Sequence, residues 1–156
     1  MTQDRVRLAL YQPDIAQNTG SILRLCACLD VGADIIEPCG FPFLSAKFRR
    51  AGMDYLDQVS LQRHDDFEAF RVTANQGRRR VVLLTTKAEM SLFDFSFSRH
   101  DTLLMGRESA GAPDFVHATA HARLHIPMAA DRRSLNVAVS AGIALSEALR
   151  QTGGFA

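Results

Sequence analysis

Three polar segments carry side chains suited to a reactive site made from several loops. Asn18 and Arg24 occur in Asn-Thr-Gly-Ser-Ile-Leu-Arg, Gly106 and Glu108 occur in Gly-Arg-Glu-Ser-Ala-Gly-Ala-Pro, and Asn136 ends Arg-Ser-Leu-Asn. An arginine guanidinium keeps its charge and can orient a phosphate or stabilise a developing alkoxide. A glycine lets the backbone approach a ligand closely. Each segment follows an apolar stretch, which places these residue types at predicted strand ends.

The last thirty residues combine a strand end, a polar loop and a helix rich in small residues. Ile126 and Met128 flank a proline, and the loop then leads into a helix predicted over residues 137–151. Ser134 is expected to cap this helix by accepting hydrogen bonds from its free N–H groups. Asn136 is expected in the first turn, where asparagine is a poor helix former but can point its side chain into a site.

Alternating strands and helices must position these loops. Alternating apolar residues predict a strand over residues 6–11, and a continuous apolar and β-branched run predicts a buried strand over 81–86. Short strands are also predicted at 33–36, 102–105 and 123–126, and helices at 22–29 (ended by Gly32), at 65–74 and after Pro113. This alternation predicts an α/β fold with a mostly parallel sheet.

The three motifs resemble those of a known superfamily. In order and spacing, N-T-G-x-x-x-R, G-x-E-x-x-G-x-P and I-P-M followed by R-S-L-N are similar to the motifs of the SPOUT superfamily of knotted RNA methyltransferases. Flanking segments resemble one branch, the small single-domain tRNA (cytidine/uridine) 2′-O-methyltransferases that act on the wobble nucleotide. These segments are Leu10-Tyr11-Gln12-Pro13, Ile36-Glu37-Pro38, residues 49–55 and Leu84-Thr85-Thr86-Lys87.

The resemblance implies a single SPOUT-type α/β domain over residues 1–156, with a C-terminal trefoil knot. It implies methyl transfer from S-adenosyl-L-methionine to the ribose 2′-hydroxyl of nucleotide 34, a cytidine or carboxymethylaminomethyl-uridine, in the tRNA anticodon arm. Two alternatives stay open: a 2′-O-methyltransferase acting on rRNA or another tRNA position, and an RNA-binding protein without turnover. The lack of an added RNA-binding domain favours the wobble-position branch.

The resemblance also implies roles for individual residues. The cofactor is expected among strand-end turns that include Leu84, Thr85, Gly106, Ile126, Met128 and Ser134. Arg24 is expected at the reacting centre, because it lies about 200° from Ile22 around the predicted helix and so faces away from the apolar stripe. Asn18, Glu108 and Asn136 are expected to hold the catalytic loops and the substrate.

Basic residues outside these motifs indicate where RNA binds. Arg49 and Arg50 lie in a long segment, residues 39–55, that mixes Gly, Pro, Phe and basic residues, and Arg132 precedes the last motif. Such side chains can neutralise phosphates. Ala110 and Ser146 depart from the family pattern, in which many relatives carry a basic and an aromatic residue, respectively. The first departure removes one phosphate contact.

The composition is typical of one globular domain. The chain has 156 residues, of which 47% are hydrophobic and 22% charged, and its net charge is +1. No apolar run reaches the roughly 18 residues of a transmembrane helix, and the N-terminus lacks the apolar core of a signal peptide. Three cysteines cannot all pair with one another. We therefore expect a reduced, cytoplasmic protein without a membrane partner.

Two further expectations concern metals and assembly. His117, His121 and His125 are four residues apart, but His125 lies in a predicted strand, so the helical spacing fails and no metal is expected. The helix over residues 137–151 is apolar or small on most faces, which is more than one core contact needs. Together with the family resemblance, this pattern predicts a homodimer whose active site draws on both subunits.

Overall fold

A computed structural model describes residues 4–43 and 57–155, which form a parallel sheet with helices on both faces. The chain first forms β1 (Arg7–Tyr11), α1 (Ala16–Cys28), β2 (Gly32–Ile36), β3 (Leu61–His64) and α2 (Phe67–Gln76). It continues with β4 (Arg80–Leu84), β5 (Met90–Ser91), β6 (Asp101–Met105), α3 (Asp114–Thr119), β7 (Ala122–His125) and α4 (Val137–Thr152). The predicted α/β class and parallel sheet are confirmed.

The strand order determines which loops meet. Within the described residues the order is β3-β2-β1-β6-β4-β7-β5, and every neighbouring pair is parallel. Thr102 of β6 is in register with Arg7 of β1 on one side and with Val81 of β4 on the other. The carboxyl ends of β1, β6, β4 and β7 therefore lie side by side, as do the loops that follow them.

Two apolar cores lie on the two faces of the sheet. Leu8 and Leu10 point to the face covered by α1 and α4, whereas Ala9 and Tyr11 point to the face covered by α2 and α3. This division follows from the two-residue period of a strand. Because the central strands are buried on both faces, residues 81–84 of β4 and 103–105 of β6 are continuous apolar runs. Strand β1, which was predicted from alternating residues, also carries apolar side chains on both faces.

Helices α1 and α4 pack against each other on one face of the sheet. The inward side of α4 consists of fully buried small and aliphatic residues, namely Ala141, Ala144, Leu145, Ala148 and Leu149. A Cβ added to Gly142 would lie in ordinary contact with Leu25 of α1, at 4.0 Å. The C-terminal helix is thereby held against the helix that carries the first motif.

Several predicted boundaries differ from the structure. Helix α1 begins at Ala16, which places Asn18 inside its first turn, and it ends at Cys28 rather than at Gly32. Asp30 supplies the left-handed residue of the turn, with φ of 54°, and Gly32 is the first residue of β2. Strand β5 was not predicted, because two residues are too few to show a period.

Candidate functional site

The loops after β4, β6 and β7 surround a cavity of about 570 Å³ at the carboxyl end of the sheet. Its wall is completed by the first turn of α1 and by the segment that leads into α4. Residues that form this wall include Ile15, Asn18, Leu84, Thr85, Met105, Gly106, Arg107, Glu108, His117, Ile126, Met128, Arg133, Ser134 and Asn136. In open parallel α/β sheets, ligands bind outside the carboxyl ends of the strands. The size falls within the range of small-molecule pockets.

The six residues predicted to bind a cofactor all border this cavity. Leu84, Ile126 and Met128 give it an apolar wall, and Thr85 and Ser134 contribute hydroxyl groups. Leu84 ends β4, whereas Ile126 follows the last residue of β7. Sequence motifs separated by 42 positions, from 84 to 126, thus meet at one place because β4 and β7 are neighbours.

A tight turn after β6 contains both motif glycines. The backbone of Arg107 both donates to and accepts from that of Gly111, with N···O distances of 3.3 and 2.8 Å. Gly111 has φ of 66°, a left-handed conformation that glycine adopts without steric cost. A Cβ on Gly106 would lie 2.8–2.9 Å from backbone atoms of Gly111 and Ala112. Gly106 was expected to allow a cofactor to approach the backbone closely. In the structure, the atoms that come too close for a side chain at this position are the backbone atoms of Gly111 and Ala112 in the same turn.

Asn136 joins the last helix to the first. Its Oδ1 accepts hydrogen bonds from the backbone N–H groups of Ala138 and Val139, at 2.8 and 3.2 Å, so Asn136 is the N-cap of α4. The Asn136 amide Nδ2 then donates to Oδ1 of Asn18, at 3.2 Å. The prediction that Ser134 caps this helix is wrong, because the non-helical residue directly before Val137 is Asn136. Ser134 remains at the cavity wall.

Glu108 is held by a residue that the sequence analysis missed. Asp14, in the loop between β1 and α1, accepts the backbone N–H of Glu108 through Oδ1 at 3.2 Å. The Glu108 carboxylate accepts the backbone N–H of Asp14 at 2.9 Å. The position of Asp14, between a strand end and the first motif, was the available sequence signal.

The two carboxyl groups perturb each other. Hydrogen bonding with Glu108 lowers the pKa of Asp14 to about 2, helped by hydrogen bonds from Ser109 and by the charge of Arg107. Burial raises the pKa of Glu108, and the hydrogen bond with Asp14 raises it further. Asp14 is therefore the more acidic member of the pair, and Glu108 holds its proton more tightly than an ordinary glutamate.

A histidine outside the motifs supports the loop after β4. His117 of α3 lies with Nε2 2.9 Å from the Thr85 hydroxyl and with Nδ1 3.2 Å from the carbonyl of Pro113. The Thr85 hydroxyl oxygen also accepts the backbone N–H of Lys87 at 3.2 Å. His117 was considered only as a metal ligand, and its contact with Thr85 depends on helix placement that the sequence does not specify.

The remaining predicted residues lie outside the cavity or outside the described residues. Arg24 is exposed on α1 and faces away from the core, as predicted, but it is not among the residues that border the cavity. It lies six residues beyond Asn18, about 9 Å along the helix axis. Arg132 is exposed next to the cavity-lining Arg133. Arg49 and Arg50 lie outside the described residues.

Neither a metal cluster nor a membrane-spanning element is found in the part of the chain that the structure describes. Across residues 4–43 and 57–155, no three His, Cys, Asp or Glu side chains are grouped as metal ligands. Over the same residues, no helix is both long and apolar enough to cross a bilayer.

Comparisons with known proteins agree with the motifs. The model of the SpoU rRNA methylase family matches residues 5–146. A tRNA (cytidine(34)-2′-O)-methyltransferase from Beijerinckia indica is 62% identical over 149 residues, which are 96% of this chain and 93% of that protein. These matches confirm the resemblance to SPOUT-type RNA methyltransferases.

Solved structures share the fold. A structure from a study of 2-OH methylation of C/U34 on tRNA superposes with a TM-score of 0.89 at 42% identity, covering 96% of this chain and 97% of that one. An AdoMet-bound rRNA methyltransferase from Sinorhizobium meliloti superposes with a TM-score of 0.85 at 28% identity, covering 94% of this chain and 56% of that one. From the family match and the close relative, the chain belongs to the SpoU rRNA methylase family.

Proposed function

We propose that the protein transfers the methyl group of S-adenosyl-L-methionine to the ribose 2′-hydroxyl of nucleotide 34 in tRNA. The nucleotide is cytidine or carboxymethylaminomethyl-uridine. The observation that carries this proposal is the meeting of all three motifs around one cavity, in a chain 62% identical to a tRNA (cytidine(34)-2′-O)-methyltransferase. The match covers 96% of this chain and 93% of that protein, so the two proteins share the whole domain and not only the three motifs.

The residues of the cavity fit S-adenosyl-L-methionine. Leu84, Met105, Ile126 and Met128 offer an apolar wall for an adenine ring, and Thr85 adds a hydroxyl close to backbone groups of the strand ends. Most small-molecule sites combine apolar walls with a few polar groups in this way. When bound, the cofactor supplies an electrophilic methyl carbon on a positively charged sulfur. No metal is required to activate such a carbon.

The protein's contribution is to position the acceptor and to stabilise the oxygen that loses its proton. In the transfer, the ribose oxygen would bond to the methyl carbon while the carbon–sulfur bond would break with its electron pair left on sulfur, and the hydroxyl proton would pass to solvent water. Asn18, Asn136 and Glu108 hold the loops that face the acceptor. Arg24 orients the target phosphate and stabilises the developing alkoxide, because a guanidinium stays protonated and cannot act as a base. Positioning of this kind supplies roughly 7–11 kcal/mol.

The active site is composed of two subunits in this proposal. Arg24 does not border the cavity of its own chain, and in this proposal the Arg24 of a second chain reaches that cavity. Ile15, Leu135 and Val139 are large apolar residues that are 45%, 40% and 51% exposed around the cavity mouth and on α4. Burying them between subunits gives the homodimer a source of stability. Arg132, with Arg49 and Arg50, supplies phosphate contacts for the anticodon arm.

Two finer features belong to the same proposal. The C-terminal segment forms a trefoil knot in this proposal, which is supported by membership of the family that the motifs resemble. The protein acts in the cytoplasm, where tRNA is processed.

The decisive experiment maps modified nucleosides in tRNA from a strain lacking the gene. Loss of the 2′-O-methyl group at position 34 alone, restored by the gene, is the expected result. Purified protein should also bind S-adenosyl-L-methionine in calorimetry and transfer radiolabelled methyl groups to bulk tRNA. Loss of methylation in rRNA or at another tRNA position would contradict the assignment to position 34. Binding without transfer would show an RNA-binding protein without turnover.

A further inference from the structure

We propose that Arg107 binds a phosphate of the RNA substrate at the edge of the cavity. The inference rests on the proposed function, because it assigns a contact to that RNA. Arg107 lies in the turn after β6 and borders the cavity, and its side chain has so far been given no contact with the cofactor or the RNA.

The Nε atom of Arg107 is a hydrogen-bond donor that the described residues do not use. This atom is buried and has no hydrogen-bond partner among residues 4–43 and 57–155. The nearest acidic group is the carboxylate of Asp14, whose Oδ2 lies 3.6 Å from Nε. That distance allows an ion pair but exceeds a hydrogen bond. A buried donor without an acceptor costs free energy, so the contacts within the chain leave this guanidinium incompletely satisfied. The Arg107 side chain as a whole is 30% exposed, so a phosphate can approach it and accept charge-assisted hydrogen bonds.

The surroundings of Arg107 favour RNA over the cofactor as its ligand. Strand β6 lies between β1 and β4. The charged contact of Arg107 is Asp14, in the loop after β1, and its charge also acts on the buried Tyr11 of β1. The apolar wall comes from β4 and β7, on the other side of β6. Arg107 therefore lies towards the half of the site that contains Asn18 and α1. In the proposed function, this half receives the RNA that carries the acceptor ribose.

The turn holds this charge in a defined place. Arg107 and Gly111 are joined by two backbone hydrogen bonds, so the intervening residues have little freedom. Ala110 is exposed in the same turn and also borders the cavity. A basic side chain at either position projects from the same rigid turn beside the cavity.

The test compares Arg107→Ala, Arg107→Lys and the double variant Arg107→Ala/Ala110→Arg. Arg71→Ala is the matched control, because it removes an arginine from α2 that does not border the cavity. Steady-state methyl transfer to tRNA is measured at several salt concentrations, and S-adenosyl-L-methionine binding is measured by calorimetry. Thermal unfolding checks that each variant is folded.

Arg107→Ala should raise KM for tRNA at least fivefold, with cofactor affinity within twofold of wild type. The slope of log kcat/KM against log salt should become shallower by about 1, as for one lost phosphate contact. Arg107→Lys should recover part of the affinity, the double variant should recover most of it, and Arg71→Ala should match wild type.

Two results would overturn the inference. If Arg107→Ala weakens cofactor binding and leaves KM for tRNA unchanged, the guanidinium binds the cofactor carboxylate instead. If KM, salt slope and cofactor affinity all stay unchanged, Arg107 contacts neither ligand. By contrast, wild-type protein that binds tRNA in an Arg107-dependent manner without methylating it would contradict only the proposed function.

Discussion

Asp14 and Glu108 each accept the other's backbone N–H, at 3.2 and 2.9 Å, although they lie on loops after different strands. The pair connects the loop that leads into α1 with the turn after β6. It also brings two carboxyl groups together beside the cavity, which gives them unequal acidity. One residue of the pair belongs to a recognised motif, whereas the other does not.

The Asp14–Glu108 pair should govern stability in acid. Asp14 has a folded-state pKa of about 2 against an ordinary value of 3.8, so its stabilisation is present above about pH 4 and is lost as pH falls towards 2. The contribution of Glu108 to the free energy of unfolding changes with pH in the opposite direction. Because its pKa is raised, this contribution is present at lower pH and is lost as the pH rises. Asp14→Asn should therefore flatten the loss of unfolding free energy between pH 4 and pH 2, measured by urea titration.

Asp14→Ala serves as the comparison for this variant. Asparagine keeps an acceptor for the Glu108 N–H, whereas alanine leaves that donor without one. Alanine should cost about 1.5–3 kcal/mol at neutral pH, the usual range for a hydrogen bond to a charged group. If wild type and Asp14→Asn lose the same free energy of unfolding between pH 4 and pH 2, the pair does not control stability in acid.

The two glycines of the turn should respond differently to a side chain. Gly106→Val forces the backbone of Gly111 and Ala112 to move, so affinity for S-adenosyl-L-methionine should fall at least tenfold, about 1.4 kcal/mol. Gly111→Ala meets no atom within 4 Å and should cost only the left-handed conformation, about 1–2 kcal/mol of unfolding free energy. Calorimetry and urea unfolding measure the two effects. If Gly106→Val binds S-adenosyl-L-methionine as tightly as wild type, the turn after β6 does not contribute to cofactor binding.

Asn136 performs two tasks that substitution can separate. Asn136→Ala removes the N-cap of α4 and should cost about 1 kcal/mol of stability. Asn136→Asp keeps an acceptor for the N-terminal N–H groups but loses the donor to Asn18. We expect Asn136→Asp to unfold at or above the wild-type temperature while methyl transfer falls at least tenfold. Full activity in this folded variant would show that the bond to Asn18 is dispensable.

Arg24→Ala should lower methyl transfer 100-fold or more with nearly unchanged cofactor affinity. An interaction made mainly in the transition state appears in kcat. Arg24→Lys should recover little, since an ammonium cannot reproduce the guanidinium fork. A substantially active Arg24→Ala enzyme would reject the assignment.

Mixing subunits tests whether Arg24 acts across the dimer. If it does, Arg24→Ala chains mixed with Gly106→Val chains should form heterodimers in which one site has both residues intact. Activity should then rise above that of either variant alone. A sedimentation experiment that finds an active monomer at the assay concentration would contradict the shared site.

Motifs at strand ends were predictable because parallel strands direct their loops to one edge of the sheet. The positions of Thr85, Gly106 and Ile126 around one cavity follow from this rule and from the family resemblance. Pairwise contacts were not predictable in the same way. The cap of α4 depended on which of two polar residues, two positions apart, kept a non-helical backbone, and sequence preference allowed Ser134 as well as Asn136.

Contacts between segments that are distant in the sequence were the hardest to predict. Asp14 meets Glu108 because β1 and β6 are neighbours, and no local pattern indicates that pairing. The support of Thr85 by His117 likewise depends on where α3 packs. Propensity and periodicity describe single segments, whereas these contacts are set by sheet order.

The place of β6 beside β1 has a consequence for biosynthesis. β1 leaves the ribosome early, but Thr102, the partner of Arg7, is translated almost a hundred residues later. Pairing over such a separation is slow, because the loop loses its entropy before the strands gain their bonds. Until then β1 has a free edge at which nascent chains can associate wrongly. Since Asn136 and α4 follow later still, the wall of the cavity is complete only after the last helix has emerged.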